Sequence, residues 1–238
     1  MTSAVVETFP PEASTSVAVE PLDLATTLWP VAHGTGDRTV RVGRGEAWRA
    51  MLTPDGPATL RLVRVPGGVA ATAWGPGAGW AAAQAAAFVG AQDRLPDTAG
   101  WHPLLVEVVR RNPGLRLPRT GRPWEALLPA ICEQKVTGHE ARAAFQGIVR
   151  ALGADAPGPA RMRLPPEPSV LARLPYFAFH RFGLERRRAD VIRHAAELAP
   201  RLDGREPSDV ARLLQSVPGI GPWTVAEVMR VAFGDADA

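Results

Sequence analysis

Leu214-Gln-Ser-Val-Pro-Gly-Ile-Gly-Pro-Trp-Thr-Val-Ala226 decides the fold. An apolar helical turn runs into Pro218-Gly219-Ile220-Gly221, and a second helix is predicted to begin at Pro222. Proline suits a first helical position, where its missing N–H is not needed. Two glycines flanking one aliphatic residue let the backbone turn tightly and leave the amides bare. Ile220 is the apolar plug expected to pin the turn between the two helices. The free N–H groups and the dipole at the start of the second helix favour an anion. Such a hairpin can hold a nucleic-acid phosphate through main chain alone, reading no sequence. Gly219, Ile220 and Gly221, with Thr224 nearby, are therefore the candidate DNA contacts.

The chain around this hairpin has 238 residues, 46% of them apolar, enough for one large or two small domains with a buried core. Its formal charge is only +3, yet the pI is about 9.9, because all basic residues except Lys135 are arginine. Residues 1–95 carry 7 basic and 8 acidic groups, and residues 96–238 carry 20 and 16. The positive excess thus lies with the hairpin, the direction expected of a phosphate-binding half. Cys132 is the only cysteine; an internal disulfide and a Cys-ligated iron–sulfur cluster built from this chain are both excluded. The histidines lack ligand spacing, so no metal site is expected. The first twenty residues show no basic start followed by an apolar core, and no apolar run is long enough to span a membrane. A cytoplasmic protein is the expectation.

Residues 1–20, rich in Thr, Ser, Glu and Pro, read as a disordered tail. Residues 21–95 read as a small α+β domain. Thr39–Val42, Ala58–Val65 and Val69–Trp74 alternate with period two and are expected as strands. Pro66-Gly67-Gly68 is the turn between the last two, and a helix over 78–90 covers one face. From Trp101 the period becomes helical, predicting helices over 102–112, 123–135, 138–152, 168–174, 185–200, 206–216 and 222–233, with Ser208 an alternative cap for the sixth. Residues 96–238 form an all-α domain on this reading. Residues 154–168 read as a Pro-rich loop.

The thirteen-residue stretch resembles the helix-hairpin-helix motif of the base-excision DNA glycosylases, and within them the DNA-3-methyladenine glycosylase II family. Pro123-Trp-Glu-Ala-Leu-Leu-Pro-Ala-Ile-Cys-Glu-Gln-Lys-Val-Thr137 is similar to that family's early helix ending near the DNA. The segment Leu174–Asp190 looks like the one preceding its hairpin. The resemblance is good over residues 96–238 and loose over 20–95. It implies an α+β fold with a small antiparallel sheet followed by the helical hairpin domain. It also implies a monomer acting on double-stranded DNA with alkylated bases, nucleoid-associated in a bacterium. No cofactor is implied beyond a monovalent cation among the hairpin carbonyls.

The resemblance also suggests roles for particular residues. Trp223 stands where bifunctional members carry a lysine that attacks the sugar; an indole cannot, so a monofunctional glycosylase is implied. An aromatic wall at Trp223 suits a flat cationic base, against the alternative that it packs between the helices. Gln134 is placed to pair with the base orphaned by flipping, and Lys135 to act as wedge or phosphate contact; a solvated helix end is the plain alternative. Tyr176 and His180, from the aromatic cluster Tyr176–Phe182, are candidates for the base pocket, although most such clusters are core. Arg186-Arg187-Arg188 reads either as a solvated face or as a contact to the DNA backbone.

The catalytic aspartate of the resembling family is expected about twenty residues after the Trp223 position, beyond Ala238. Asp235 and Asp237 fall too early, so no catalytic residue is assigned within 1–238 and a C-terminally truncated glycosylase with little activity is expected. Apolar faces of the 102–135 region and of the 222–233 helix are then expected to be exposed. The competing reading is a non-catalytic helix-hairpin-helix DNA-binding protein.

Overall fold

The computed structural model of the protein describes residues 9–94 and 97–237. Strands β1 (Ala13–Ala18), β2 (Val40–Val42), β3 (Glu46–Thr53), β4 (Gly56–Val65) and β5 (Gly68–Trp74) form one antiparallel sheet in the order β1-β5-β4-β3-β2. Pro66 and Gly67 close the β4–β5 hairpin, Gly67 taking the positive φ of +83° that the turn needs. Helices α1 (Leu24–Leu28), α2 (Ala78–Ala83) and α3 (Ala85–Phe88) cover one face of the sheet and share a core with it, built on Leu28, Met51, Leu60, Leu62 and Phe88. The single helix expected over 78–90 is thus two short ones.

Two strands escaped the period-two reading. β1 lies inside the stretch expected to be a disordered tail, and residues 13–18 correct that expectation; residues 1–8 lie outside the described residues. Composition suggested disorder, but Thr15 and Val17 are β-branched, and Val17 buries itself against the sheet. Gly68 opposite admits this approach, since a Cβ there would strike the Val17 carbonyl. β3 is an inner strand covered on both faces, so nearly all of its residues are buried and the alternation is lost. Its Ala47 and Met51 face the helices. Ala50 and Leu52 meet Met162 and Leu164 from the Pro-rich loop, which folds back over the sheet instead of hanging free.

The helical part comprises α4 (Pro103–Arg111), α5 (Pro123–Cys132), α6 (Gly138–Leu152), α7 (Pro168–Arg173), α8 (Arg186–Leu198), α9 (Pro207–Gln215) and α10 (Pro222–Phe233). Short 3₁₀ segments at Tyr176–Phe182 and Ala199–Arg201 join α7 to α8 and α8 to α9. α9 starts on Glu206 as its N-cap, so Ser208 is not the cap. Leu127, Ile131, Ile148, Leu171, Ile192, Val210, Leu214 and Val228 make its core.

The apolar exposure expected on three helices occurs on one. α4 has no buried residue and leaves Leu104 70% exposed, whereas α5 and α10 bury their apolar faces.

The two cores form separate clusters, and the boundary expected between residues 95 and 96 falls outside the described residues. Polar ties cross between them. Arg49 on β3, only 3% exposed at its side chain, pairs with Glu125 on α5 at 2.8 Å. The other Glu125 oxygen accepts the Leu52 N–H at 2.8 Å. Gln146 on α6 donates to the His33 carbonyl at 2.7 Å. A buried charge is tolerated where it is paired and hydrogen-bonded, and these bonds fix how the sheet sits on the helices.

Candidate nucleic-acid interface

The turn between α9 and α10 makes opposite demands on its two glycines. Gly219 has φ +93°, and a Cβ on it would lie 2.4 Å from Val191 Cγ2 of α8. Gly221 has φ −98° and caps α10, with no atom within 4 Å of the place a Cβ would occupy. Gly219 is needed by the fold; Gly221 is needed only by something that approaches from outside. Ile220 is buried as the expected plug, its N–H donating to the Val217 carbonyl at 3.0 Å.

Gln134 and Thr224 correct the expected contacts. Thr224 is buried, and its Oγ1 accepts a hydrogen bond from Gln134 Nε2 at 3.0 Å. The same nitrogen donates to the Gly219 carbonyl at 3.0 Å. The Gln134 amide group thus ties the end of α5 to the hairpin rather than hanging free to pair with a base, and Thr224 is its peg. A helix-end glutamine and a threonine ninety residues later share no sequence pattern, so only the tertiary structure brings them together.

Lys135, one residue on, has φ +56°, a left-handed conformation uncommon for a non-glycine residue and frequent at functional turns. Thr137 starts α6 immediately afterwards with a capping box, its Oγ1 and N–H exchanging bonds with Glu140. The short link between two firmly ended helices holds Lys135 out in solvent. It borders a groove of about 530 Å³ lined also by Gln134, Arg187, Gly219, Gly221 and Trp223. Trp223 is 51% exposed, so it walls the groove instead of packing between the helices.

The arginine triplet is divided by the face of α8 each member occupies. Arg188 is buried and structural, donating to the Cys132 carbonyl at 2.9 Å and the Gly183 carbonyl at 3.2 Å and pairing with Glu185 at 2.6 Å. Its charge holds the Glu185 carboxyl below the usual range. Arg186 lies over the Tyr176 ring at 4.7 Å and 3.6 Å from Asp190. Arg187 faces the groove and, with Lys135, has no ion-pair partner among the described residues.

Tyr176 and His180 do not line this groove. They pack edge to face with each other at 5.6 Å, and Tyr176 also meets the exposed Phe177 at 5.8 Å. Of the aromatic cluster only Phe179 belongs to the buried core. A 3₁₀ turn advances three residues per revolution, which sends Tyr176 and Phe179 along one side and leaves Phe177 and His180 outside. Asp235 and Asp237 are exposed after α10 and border neither groove nor cavity.

Behind the groove lies a smaller cavity of about 110 Å³ between α5, α6, α10 and the segment around His33. Glu133 borders both spaces. Burial, reinforced by the charge of Glu227, pushes its carboxyl above the usual 4.5. Sequence reasoning missed it, although one signal was present: a carboxylate ending a helix whose preceding residues, 126–132, are all apolar.

This arrangement is shared with solved DNA glycosylases. The chain superposes on a 3-methyladenine DNA-glycosylase from Archaeoglobus fulgidus with a TM-score of 0.73 at 18% identity, covering 94% of this chain and 80% of that one. It also matches an 8-oxoguanine glycosylase/lyase from Clostridium acetobutylicum in its apo-form, at TM-score 0.65 and 14% identity over 93% of this chain and 78% of that one. The same enzyme in complex with double-stranded DNA matches at TM-score 0.65 and 13% identity, over 93% and 79%. No family model and no curated protein matches the sequence. The α+β glycosylase fold is what these structures have in common with the chain.

Proposed function

We propose that the chain carries the DNA-binding and base-accommodating parts of a monofunctional base-excision DNA N-glycosylase for alkylated bases. One observation carries the reading. Gly221 presents an unobstructed backbone at a helix start, beside a groove edged by an unpaired lysine, an unpaired arginine and a half-exposed tryptophan. Main-chain N–H groups at a helix start hold a phosphate, two cations add salt-dependent attraction, and an open indole offers a stacking face. Supporting the same reading, the A. fulgidus protein of the same fold is a 3-methyladenine DNA-glycosylase, and Trp223 cannot attack a sugar as a lysine does.

A monovalent cation among the hairpin carbonyls would share Val217 O with the Ile220 N–H and Gly219 O with Gln134. Each carbonyl has two lone pairs, so the residues fit it. The cation would neutralise phosphate charge at the turn.

Binding and base release are separable in the test. Titration with undamaged duplex DNA is expected to show affinity falling steeply with salt, independent of sequence. Unchanged affinity in Gly221→Val would refute the hairpin as the contact. Base release from methylated DNA is expected to be weak for residues 1–238, since neither Asp235 nor Asp237 borders the groove, and binding without release is also the behaviour of a DNA-binding module. Robust release would assign the chemistry to a carboxylate that does border it.

A further inference from the structure

We propose that Glu133 is the specificity-determining residue of a pocket for an everted, cationic purine of the N7-alkylated guanine type, seated in the cavity behind the groove. The inference rests on the glycosylase-type reading only in taking a base to leave the duplex at this groove.

Glu133 lies on the wall common to the groove and the cavity, so a group passing from one to the other passes its carboxylate. The other charged residues around the cavity differ from it. Glu227 is neutralised by Arg230 at 2.6 Å on the next turn of α10. Arg142 lies at an exposed position on α6. Glu133 accepts no hydrogen bond and makes no ion pair among the described residues. A partly desolvated carboxylate with no countercharge is costly, and a cationic donor that enters beside it removes the cost. Burial and the neighbouring Glu227 both disfavour its charge in the empty site, which is the penalty such a ligand would relieve.

The remaining walls suit a flat ring. Pro30, Ala126, Pro129 and Ala130 are short and apolar. The His33 imidazole reaches the same cavity edge-on to Phe145 at 4.6 Å and has no hydrogen bond of its own. Burial holds that imidazole below the usual 6.5, so it offers one donor and one acceptor. Two carboxylate oxygens accept a pair of parallel donors. The Watson–Crick edge of guanine presents such a pair, the ring N–H and the exocyclic amine, and alkylation at N7 adds the positive charge. An adenine edge presents one donor and one acceptor and would match Glu133 only when it is protonated.

The test uses the 238-residue chain and nucleosides as probes, followed by calorimetric or NMR titration. 7-Methylguanosine, a cation with both donors, is expected to bind at least tenfold tighter than guanosine, and tighter than 1-methyladenosine, a cation lacking the donor pair. Glu133→Gln, which keeps the size and removes the charge, is expected to erase the preference while the variant still unfolds cooperatively. Equal binding of 7-methylguanosine and guanosine by the unaltered chain, or no binding of 7-methylguanosine, overturns the proposal without reference to any variant. Retention of the preference in Glu133→Gln overturns it too. Failure of undamaged duplex DNA to bind would count against the glycosylase reading instead, and the nucleoside titration would still decide the role of Glu133.

Discussion

The inward and outward faces of the groove-forming elements are built from neighbouring residues with opposite duties. Gly219 and Arg188 face the interior: one lets α8 approach the hairpin, the other ties α8 to the end of α5. Gly221 and Arg187, two residues and one residue away, face the groove and touch nothing that the fold requires. The comparison shows that a motif such as Gly-Ile-Gly is not one functional unit. Half of it is packing, and only the other half is free to be spent on a ligand.

The largest effect that would break this division is expected at Gly219. Gly219→Val combines a positive-φ penalty with a clash against Val191, a loss of about 2–4 kcal/mol by analogy with strained and overpacked sites. Urea denaturation measures it, and a valine tolerated within experimental error would mean that the two glycines are equivalent. Cys132 supplies an independent reporter: burial pushes its thiol up to about 12, so a thiol reagent should react only through unfolding, and faster in the variant.

Arg188→Met comes next, because it removes donors from the Cys132 and Gly183 carbonyls and leaves Glu185 without its partner. Bonds to a charged group are each worth roughly 1.5–3 kcal/mol, although the apolar replacement recovers part of that. Arg187→Met, the outward counterpart, is expected to leave stability within about 0.5 kcal/mol and to lower the salt dependence of DNA binding. Similar destabilisation in both variants would erase the distinction.

Gly221→Val should leave stability unchanged to about 0.5 kcal/mol while weakening duplex DNA about tenfold, near 1.4 kcal/mol, measured by fluorescence anisotropy at low salt. A fall in both quantities would place Gly221 in the fold.

The smallest effect is a pH slope. Glu133 keeps its proton to higher pH in the folded chain than in the unfolded one, where 4.5 is the usual value. The folded state binds more protons in that window, so stability should fall as pH rises from about 4.5 through the raised value. Glu133→Gln should flatten this fall and be the more stable form at pH 7. His33, shifted the other way by burial, contributes stability that grows as pH rises toward 6.5. Thermal unfolding at stepped pH, for the chain and for Glu133→Gln, separates the two, and an unaltered slope in the variant would remove Glu133 from the account.

The sequence by itself determined the elements whose signal is local. Apolar residues at helical spacing marked the helices of the second half to within three residues at either end, with α6 matching at both. Pro66-Gly67 fixed a hairpin through its backbone preferences alone, and Gly219-Ile220-Gly221 announced the turn between α9 and α10. Where an element is stabilised by what covers it, the local signal failed. β3 lost its alternation because the Pro-rich loop buries its second face, and β1 looked like a tail because its pairing partner lies over fifty residues away. The site divides the same way. Gly221 and Trp223 were legible because a helix start and an indole carry their chemistry with them. Tertiary structure alone decided that Gln134 holds the hairpin, that Tyr176 and His180 stand away from the groove, and that Glu133 borders two cavities at once. Each depends on distance between residues far apart in sequence, and burial, hydrogen bonding and proton affinity are properties of those distances rather than of residue type.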